Sequence, residues 1–164
     1  MEIIPVKTQA EIDLTAQLAK AIWGEHYLPI IGQEQVDYMI ANFQSPAAIG
    51  QQIKEGYEYY LIKYQGLEAG YFAIQPRAQQ GHLFLSKLYV YKDYRGLGLA
   101  KASLKFIENR ARALAYERIY LTVNKNNQLA ISSYLKMGFA KIKAFQQDIG
   151  NGFVMDDYGM EKVL

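Results

Sequence analysis

The chain has 164 residues, no cysteine, two histidines and a formal net charge of +2. The absence of cysteine excludes a disulfide framework, a thiolate zinc site and a cysteine nucleophile, and His26 and His82 are too far apart for a local metal-ligand pair. The small net charge gives no case for nucleic acid as a partner, and we find neither an apolar run of membrane-spanning length nor a secretory signal. We therefore expect a single cytoplasmic domain over residues 1–164 that works without a metal.

The first third of the chain predicts one strand followed by helices. Thr8 followed by Glu11 is typical of a capping box, in which each side chain accepts a hydrogen bond from an otherwise unpaired backbone amide. Ser45-Pro46 is typical of an N-cap followed by a first-position proline. The expected elements are a strand at about 3–6 and helices from Thr8 to about His26, over 34–43, and from Ser45 to before Gly56.

Beyond Gly56 the apolar residues change to the spacing of strands. On the strand at 82–91, alternation predicts that Leu83, Leu85 and Tyr89 share one face. Opposite them we expect Phe84, Leu88 and Val90. The expected elements are strands at 57–64, 69–75, 82–91 and 118–123, helices at 98–115 and 127–137, and a final hairpin of 139–149 with 153–163.

The order of these elements predicts the fold class. The strand at 82–91, the helix at 98–115 and the strand at 118–123 form a βαβ unit, whose two strands should be parallel. The flanking hairpins should be antiparallel. We therefore expect an α/β (α+β) domain with a mixed, mostly antiparallel sheet of about six to seven strands and helices on both faces.

The turn between the strand at 82–91 and the next helix contains two glycines, Gly96 and Gly98. Glycines let the backbone turn tightly, so that several amides and the helix N-terminus point toward one concavity, where an anion such as phosphate is favoured. A dinucleotide fingerprint would need a third glycine at position 101, where this chain has lysine, and no P-loop sequence is present. A turn that only connects the two elements remains the alternative.

Two motifs around this turn resemble those of one enzyme family. Arg95-x-x-Gly98-x-Ala100, preceded by Leu88-Tyr-Val90, resembles the pyrophosphate-binding motif of the GNAT superfamily of acyl-CoA-dependent N-acyltransferases. The segment from Asn127 to Phe139 resembles that family's N-x-x-A-x-x-x-Y-x-x-x-G-F block. The resemblance covers about residues 83–139.

The resemblance implies a GNAT-like single domain, acetyl-CoA as co-substrate, and roles for particular residues. Tyr134 would be the general acid that protonates the departing thiolate, and Asn127, two helical turns earlier, would share its face and also suits an N-cap. The strands at 83–91 and 118–123 would separate to admit the pantetheine arm. The cofactor-binding residues implied are Leu88, Val90, Arg95, Gly96, Leu97, Gly98, Leu99, Ala100, Asn127 and Tyr134.

The general base has no clear motif. Glu25 and His26, at the end of the first helix, are the candidates, although a Glu-His pair at a helix end is more often a solvated C-terminus. The alternatives left open are Glu58, Tyr60 and a chain of water molecules.

Three further polar positions bear on the site. Asp156 and Asp157, just beyond the last hairpin turn, could attract a cationic amine, although surface acids are the commoner explanation of such residues. Lys87, together with its neighbour Ser86, could face either the cleft or the opposite helix layer.

The function expected is acetyl transfer from acetyl-CoA to a primary amine by direct attack in a ternary complex. The acceptor would be a small amine or polyamine, an amino acid, an antibiotic, or a peptide amine, and a homodimer stays open. The alternatives are a catalytically silent CoA-binding sensor or partner-binding module on the same fold, and a protein that binds another nucleotide.

Overall fold

The computed structural model describes all 164 residues, which form one seven-stranded mixed sheet with helices on both faces. The strand order is β1-β2-β3-β4-β5-β7-β6, and only β4 and β5 are parallel. The strands are β1 (Glu2–Pro5), β2 (Glu58–Tyr64), β3 (Leu67–Arg77), β4 (His82–Val90), β5 (Arg118–Asn124), β6 (Ala140–Gly150) and β7 (Phe153–Val163). The helices are α1 (Gln9–His26), α2 (Leu28–Ile31), α3 (Gln33–Phe43), α4 (Pro46–Lys54), α5 (Leu99–Ala113) and α6 (Gln128–Lys136), with 3-10 turns at Ala78–Gln80 and Lys92–Tyr94. The predicted fold class and the parallel βαβ pair are confirmed. None of the six helices combines the length and the apolar composition that a membrane span requires.

Local signals place the first helices as predicted. The capping box forms, because the Thr8 amide donates to Glu11 Oε2 (2.8 Å) while the Glu11 amide donates to Thr8 Oγ1 (3.3 Å). Ser45 caps α4 by accepting from the amide of Ala48 at 3.2 Å. The single-turn helix α2, which follows directly on α1, was not predicted.

Two main hydrophobic clusters hold the helices against the sheet. One lies on the α5 side and includes Leu104 and Ile107 of α5 with Leu121 of β5. The other lies on the opposite face, where Ile22 of α1 and Ile49 of α4 belong to one cluster with residues of β2 and β3. The sheet is therefore buried between two helical layers.

A β-bulge at Ser86 reverses the alternation along β4. Ala73 of β3 pairs with Lys87 and Ile74 pairs with Leu85, so Ser86 has no partner. Beyond this extra residue, Leu88 and Val90 pack on the α5 side with Leu83 and Leu85, while Tyr89 packs on the opposite side. The prediction that Tyr89 shares a face with Leu83 and Leu85 is therefore wrong.

The parallel strands β4 and β5 separate at their carboxyl ends. Their pairing runs only from Leu83 opposite Ile119 to Leu85 opposite Leu121. β4 continues to Val90 and β5 to Asn124 without pairing with each other. The separation implied by the family resemblance is therefore present, and it opens a gap in the middle of the sheet.

The first prediction concerns Gly70 of β3, which pairs with Val90 at the edge of this gap. A Cβ at Gly70 would lie 2.2 Å from the carbonyl oxygen of Tyr89, so Gly70→Ala forces β3 and β4 apart. We expect the free energy of unfolding, measured by urea denaturation, to fall by about 1–3 kcal/mol. The matched control is Gly24→Ala in α1, where nothing lies within 4 Å of the added methyl group. It should leave stability unchanged or raise it by up to about 1 kcal/mol. Equal effects of the two substitutions would contradict the close approach at Gly70.

Candidate active site

A cleft of about 590 Å³ passes through the gap between β4 and β5. Its two sides are formed by different helical layers. The side toward α5, which we call the turn side, includes Val90, Arg95, Gly98, Ala130 and Tyr134. The side toward α1 and α3, which we call the aromatic side, includes Trp23, Tyr27, Tyr89, Met155 and Asp157.

The turn side begins with the two glycines that precede α5. Gly96 (φ +80°) and Gly98 (φ +77°) are both in the left-handed region, which side chains other than glycine rarely adopt. Gly98 is the N-cap of α5 and makes no side-chain capping bond, so the first amides of α5 have no side-chain acceptor at this position. Arg95 Nε donates to the carbonyl oxygen of Val90 at 3.0 Å and so ties the turn to the end of β4. This turn has the geometry of an anion site at a helix N-terminus.

Most of the residues expected to bind the cofactor do line the cleft. They are Leu88, Val90, Arg95, Gly96, Gly98, Leu99, Ala100, Asn127 and Tyr134. The exception is Leu97, whose side chain is exposed and lies outside the lining.

Asn127 and Tyr134 reach the cleft from the same face of α6. Asn127 is the N-cap, since its Oδ1 accepts from the amide of Ala130 (3.2 Å), and its Nδ2 donates to the hydroxyl of Tyr27 (3.4 Å). Asn127 therefore both caps α6 and lines the cleft. Burial raises the pKa of Tyr134, with a smaller contribution from Tyr27, so the phenol keeps its proton at neutral pH.

The two candidate bases at the end of α1 are in different surroundings. His26 is half-buried and lines the cleft, and burial lowers its pKa, with Arg95 adding to the effect. Its imidazole is thus neutral at pH 7. Glu25 is exposed and lies outside the lining, because successive residues of a helix point about 100° apart. The alternatives on β2 also lie outside it, since Glu58 binds Arg110 and accepts from the hydroxyl of Tyr60.

Three aromatic rings form a wall on the aromatic side. Trp23 stacks on Tyr27 with ring centroids 4.3 Å apart, and Tyr89 meets them edge-on at 5.7 and 6.1 Å. Sequence alternation had placed Tyr89 on the other face, so it did not indicate this wall. The bulge at Ser86 is what brings Tyr89 to it.

Lys87 is buried on the same side of β4 as Tyr89. It is 8% exposed, and its Nζ donates to Gln52 Oε1 at 2.9 Å and to Ser86 Oγ at 3.2 Å. No carboxylate pairs with it, and burial lowers its pKa to about 7. The sequence left the orientation of the Lys87 side chain open. In the structure this side chain points to the aromatic side and lines the cleft.

Asp157 lies in the interior of β7, opposite Asn124 of β5, and lines the cleft. It is 2% exposed, and its Oδ1 has no hydrogen-bond partner. Burial raises its pKa from 3.8 to about 6; Asp156 also raises it, while Lys125 lowers it. Sequence reasoning favoured a surface position for this residue. Alternation along β7 could have indicated that one of the two adjacent aspartates points inward.

Comparison with known proteins identifies the family. The model of the acetyltransferase (GNAT) family matches residues 17–139, so the chain belongs to that family. YdgE, an uncharacterised N-acetyltransferase of Bacillus subtilis (strain 168), is 32% identical over 93 residues, which are 56% of this chain and 59% of that protein. The spermine/spermidine N(1)-acetyltransferase of the same organism is 36% identical over 62 residues, 37% of this chain and 41% of that protein. The chain thus spans about three fifths of the first of these relatives and two fifths of the second.

A solved structure confirms the fold over its full length. The PaiA N-acetyltransferase of Thermoplasma acidophilum, crystallised with coenzyme A, superimposes with a TM-score of 0.80 at 20% identity, and the match covers 100% of both chains. At this identity the likeness shows the fold alone.

The second prediction concerns the stability cost of Asp157. The folded state holds the proton of this carboxyl up to about pH 6 but the unfolded chain only to about pH 3.8, so stability is lost as the pH rises between these values. Asp157→Asn removes that loss, and we expect the variant to be more stable than the parent at pH 8, by up to about 3 kcal/mol. Below pH 4 the difference should vanish.

Urea denaturation at pH 3.5 and pH 8 measures this difference. Asp13→Asn is the matched control, because Asp13 is exposed on α1 and asparagine keeps the oxygen that accepts from Gln9 Nε2, so this substitution should bring no gain at pH 8. A variant Asp157→Asn that is less stable than the parent at pH 8 would show that the carboxylate has a stabilising partner in the fold.

Proposed function

We infer that residues 1–164 form one N-acetyltransferase domain that moves the acetyl group of acetyl-CoA to a primary amine by direct attack in a ternary complex. The observation that carries this proposal is the continuity of one cleft. It runs from the glycine turn at the N-terminus of α5, through the gap between β4 and β5, to the aromatic side of the sheet. Two substrates, one bound at each end of this cleft, would meet in the gap between β4 and β5.

The turn side fits coenzyme A. The amides from Arg95 to Ala100 surround the pyrophosphate, and the open space beside Gly96 and Gly98 lets the phosphates approach the backbone. The pantetheine arm lies in the gap, where its amides pair with the free edge of β4 near Leu88 and Val90. The thioester then lies between Tyr134 and the aromatic side.

The reaction forms one bond and breaks another. The amine nitrogen attacks the thioester carbonyl carbon, the C–S bond breaks, and the hydroxyl of Tyr134 gives its proton to the departing sulfur. An amine with a pKa of ~10.4 is free base in only about one molecule in 2,500 at pH 7, so removing its extra proton is a barrier of roughly 4.6 kcal/mol. A base in the cleft lowers that barrier. Of the two bases predicted from the sequence, the geometry supports His26, which lines the cleft and is neutral at pH 7. Glu25 is exposed and lies outside the cleft lining.

The acceptor that we propose is a small primary amine. Relatives named for spermine and spermidine support an amine acceptor over part of the chain. The cleft supports it further, because its lining includes a buried carboxylate that suits an ammonium group.

The third prediction tests the cofactor site with two variants of equal size. Isothermal titration should give selective, micromolar binding of acetyl-CoA, with ATP and NAD as controls. Asparagine and aspartate are among the residues that tolerate the left-handed conformation of Gly98, but only aspartate places a negative charge beside the pyrophosphate. We therefore expect Gly98→Asp to weaken acetyl-CoA binding at least tenfold more than Gly98→Asn. Equal affinities of the two folded variants would place the pyrophosphate elsewhere.

The fourth prediction concerns Tyr134. Tyr134→Phe removes only the hydroxyl, so kcat should fall by about 10²-fold or more, the usual contribution of a general acid. The Kd for acetyl-CoA, measured by titration, should change less than threefold. Equal losses in kcat and affinity would make Tyr134 a packing residue, and an unchanged kcat would remove it from the chemistry.

A further inference from the structure

The aromatic side of the cleft holds a single acidic side chain. Among all the residues that line the cleft, Asp157 is the only aspartate or glutamate, whereas Lys87, Arg95 and Lys136 are basic. The rest of the aromatic side consists mainly of Trp23, Tyr27, Ile31, Met39, Tyr89 and Met155. The surface that receives the acceptor is therefore largely apolar, and Asp157 is its only acidic group.

We propose that Asp157 binds the ammonium group of the acceptor and removes its proton, and that the acceptor is a small monoamine with an apolar body, an alkylamine or arylalkylamine. The proposal rests on the acetyl transfer proposed above and goes beyond it, because it names a catalytic residue and excludes polyamines as preferred substrates.

The geometry around Asp157 supports its role in binding. Asp157 and Met155 are two residues apart on β7, so both side chains face α1 and α3, where Met155 packs against Trp23 and Met39. Asp157 is buried with Oδ1 free of any hydrogen-bond partner. A buried carboxylate oxygen without a donor is costly, and a bound ammonium would supply the missing donor.

The groups that face Asp157 leave it available as a base. Asp156, beside it on β7, is paired with Lys125 of the loop between β5 and α6 at 2.5 Å. Tyr27 of α1 is the other titratable neighbour, and burial raises its pKa, so it stays uncharged. The raised pKa of Asp157 makes its carboxylate a stronger base than an exposed aspartate. In the step itself the ammonium N–H proton moves to Oδ1, and the neutral amine attacks the thioester.

The apolar walls argue against a second positive charge on the acceptor. The far ammonium of a diamine would lie against Ile31, Met39 or Met155 with no carboxylate to pair with, at a high desolvation cost. Lys87, which has no acidic partner, adds repulsion on the same side of β4. A single ammonium on a hydrocarbon body avoids both costs.

The test uses two substrates that differ at one end only. n-Hexylamine and 1,6-diaminohexane have the same chain length, and kcat/KM for each is measured by release of the CoA thiol, with spermidine as a third substrate. We expect n-hexylamine to exceed the diamine by at least tenfold and spermidine by more. A diamine or spermidine that matches or exceeds n-hexylamine would overturn the proposed substrate class.

Asp157→Asn tests the role of the residue itself. It should lower kcat/KM for n-hexylamine by at least 100-fold while the Kd for acetyl-CoA stays the same. The matched control with the parent activity is Asp13→Asn, because Asp13 is exposed on α1 and lies outside the cleft lining. The pH profile separates a base from a packing group. In the parent, kcat/KM should rise to a plateau above about pH 6, whereas in Asp157→Asn it should rise about tenfold per pH unit up to the pKa of the amine.

The outcomes separate this proposal from the acetyltransferase proposal. Failure to bind acetyl-CoA at all would refute the proposed function. Binding of acetyl-CoA without acetylation of any of the three amines, or full activity of Asp157→Asn, would overturn only the inference about Asp157 and its substrate. A profile in Asp157→Asn that keeps the plateau, while His26→Gln loses it, would assign the base to His26.

Discussion

The separation of β4 from β5 is the constraint on which the rest of the site depends. Pairing stops after Leu85 and Leu121, which leaves one edge of each strand without its neighbour in the centre of the sheet. Unpaired backbone in a buried sheet is costly, but here β3 holds the outer edge of β4 and β7 holds that of β5. The loss of backbone hydrogen bonds is thus confined to the short ladder between β4 and β5. Both the glycine turn and α6 follow directly on the separated ends, so the gap determines where their functional groups meet.

The β-bulge at Ser86 gives β4 two functions. Without it, alternation would place Leu88 and Tyr89 on the opposite faces from those they occupy. With it, Leu88 and Val90 continue the hydrophobic face toward α5, while Lys87 and Tyr89 enter the aromatic side. One strand therefore lines both sides of the cleft.

The features that sequence reasoning predicted depend on residues close together in the chain. The capping box at Thr8, the glycine turn at 96–98 and the seven-residue spacing of Asn127 and Tyr134 are all local, so their geometry follows from short-range rules. The missed features depend on partners far away. The bulge is set by the register with β3, and the burial of Asp157 by its position opposite Asn124 and beneath α1. The helical phase at the end of α1 separates His26 from Glu25, and the packing of Ile22 and Trp23 fixes that phase.

Two buried charges of opposite sign line the cleft without pairing with each other. Asp157 and Lys87 each lose solvation on folding, and burial moves the pKa of both toward neutrality. In a structural ion pair the two would stabilise one another, whereas here each lowers the stability of the fold. Such a cost is expected where a bound ligand supplies the missing partner, and an ammonium beside Asp157 does so. Because the ammonium also favours the charged carboxylate, its arrival lowers the pKa of Asp157 and turns a destabilising residue into a binding one.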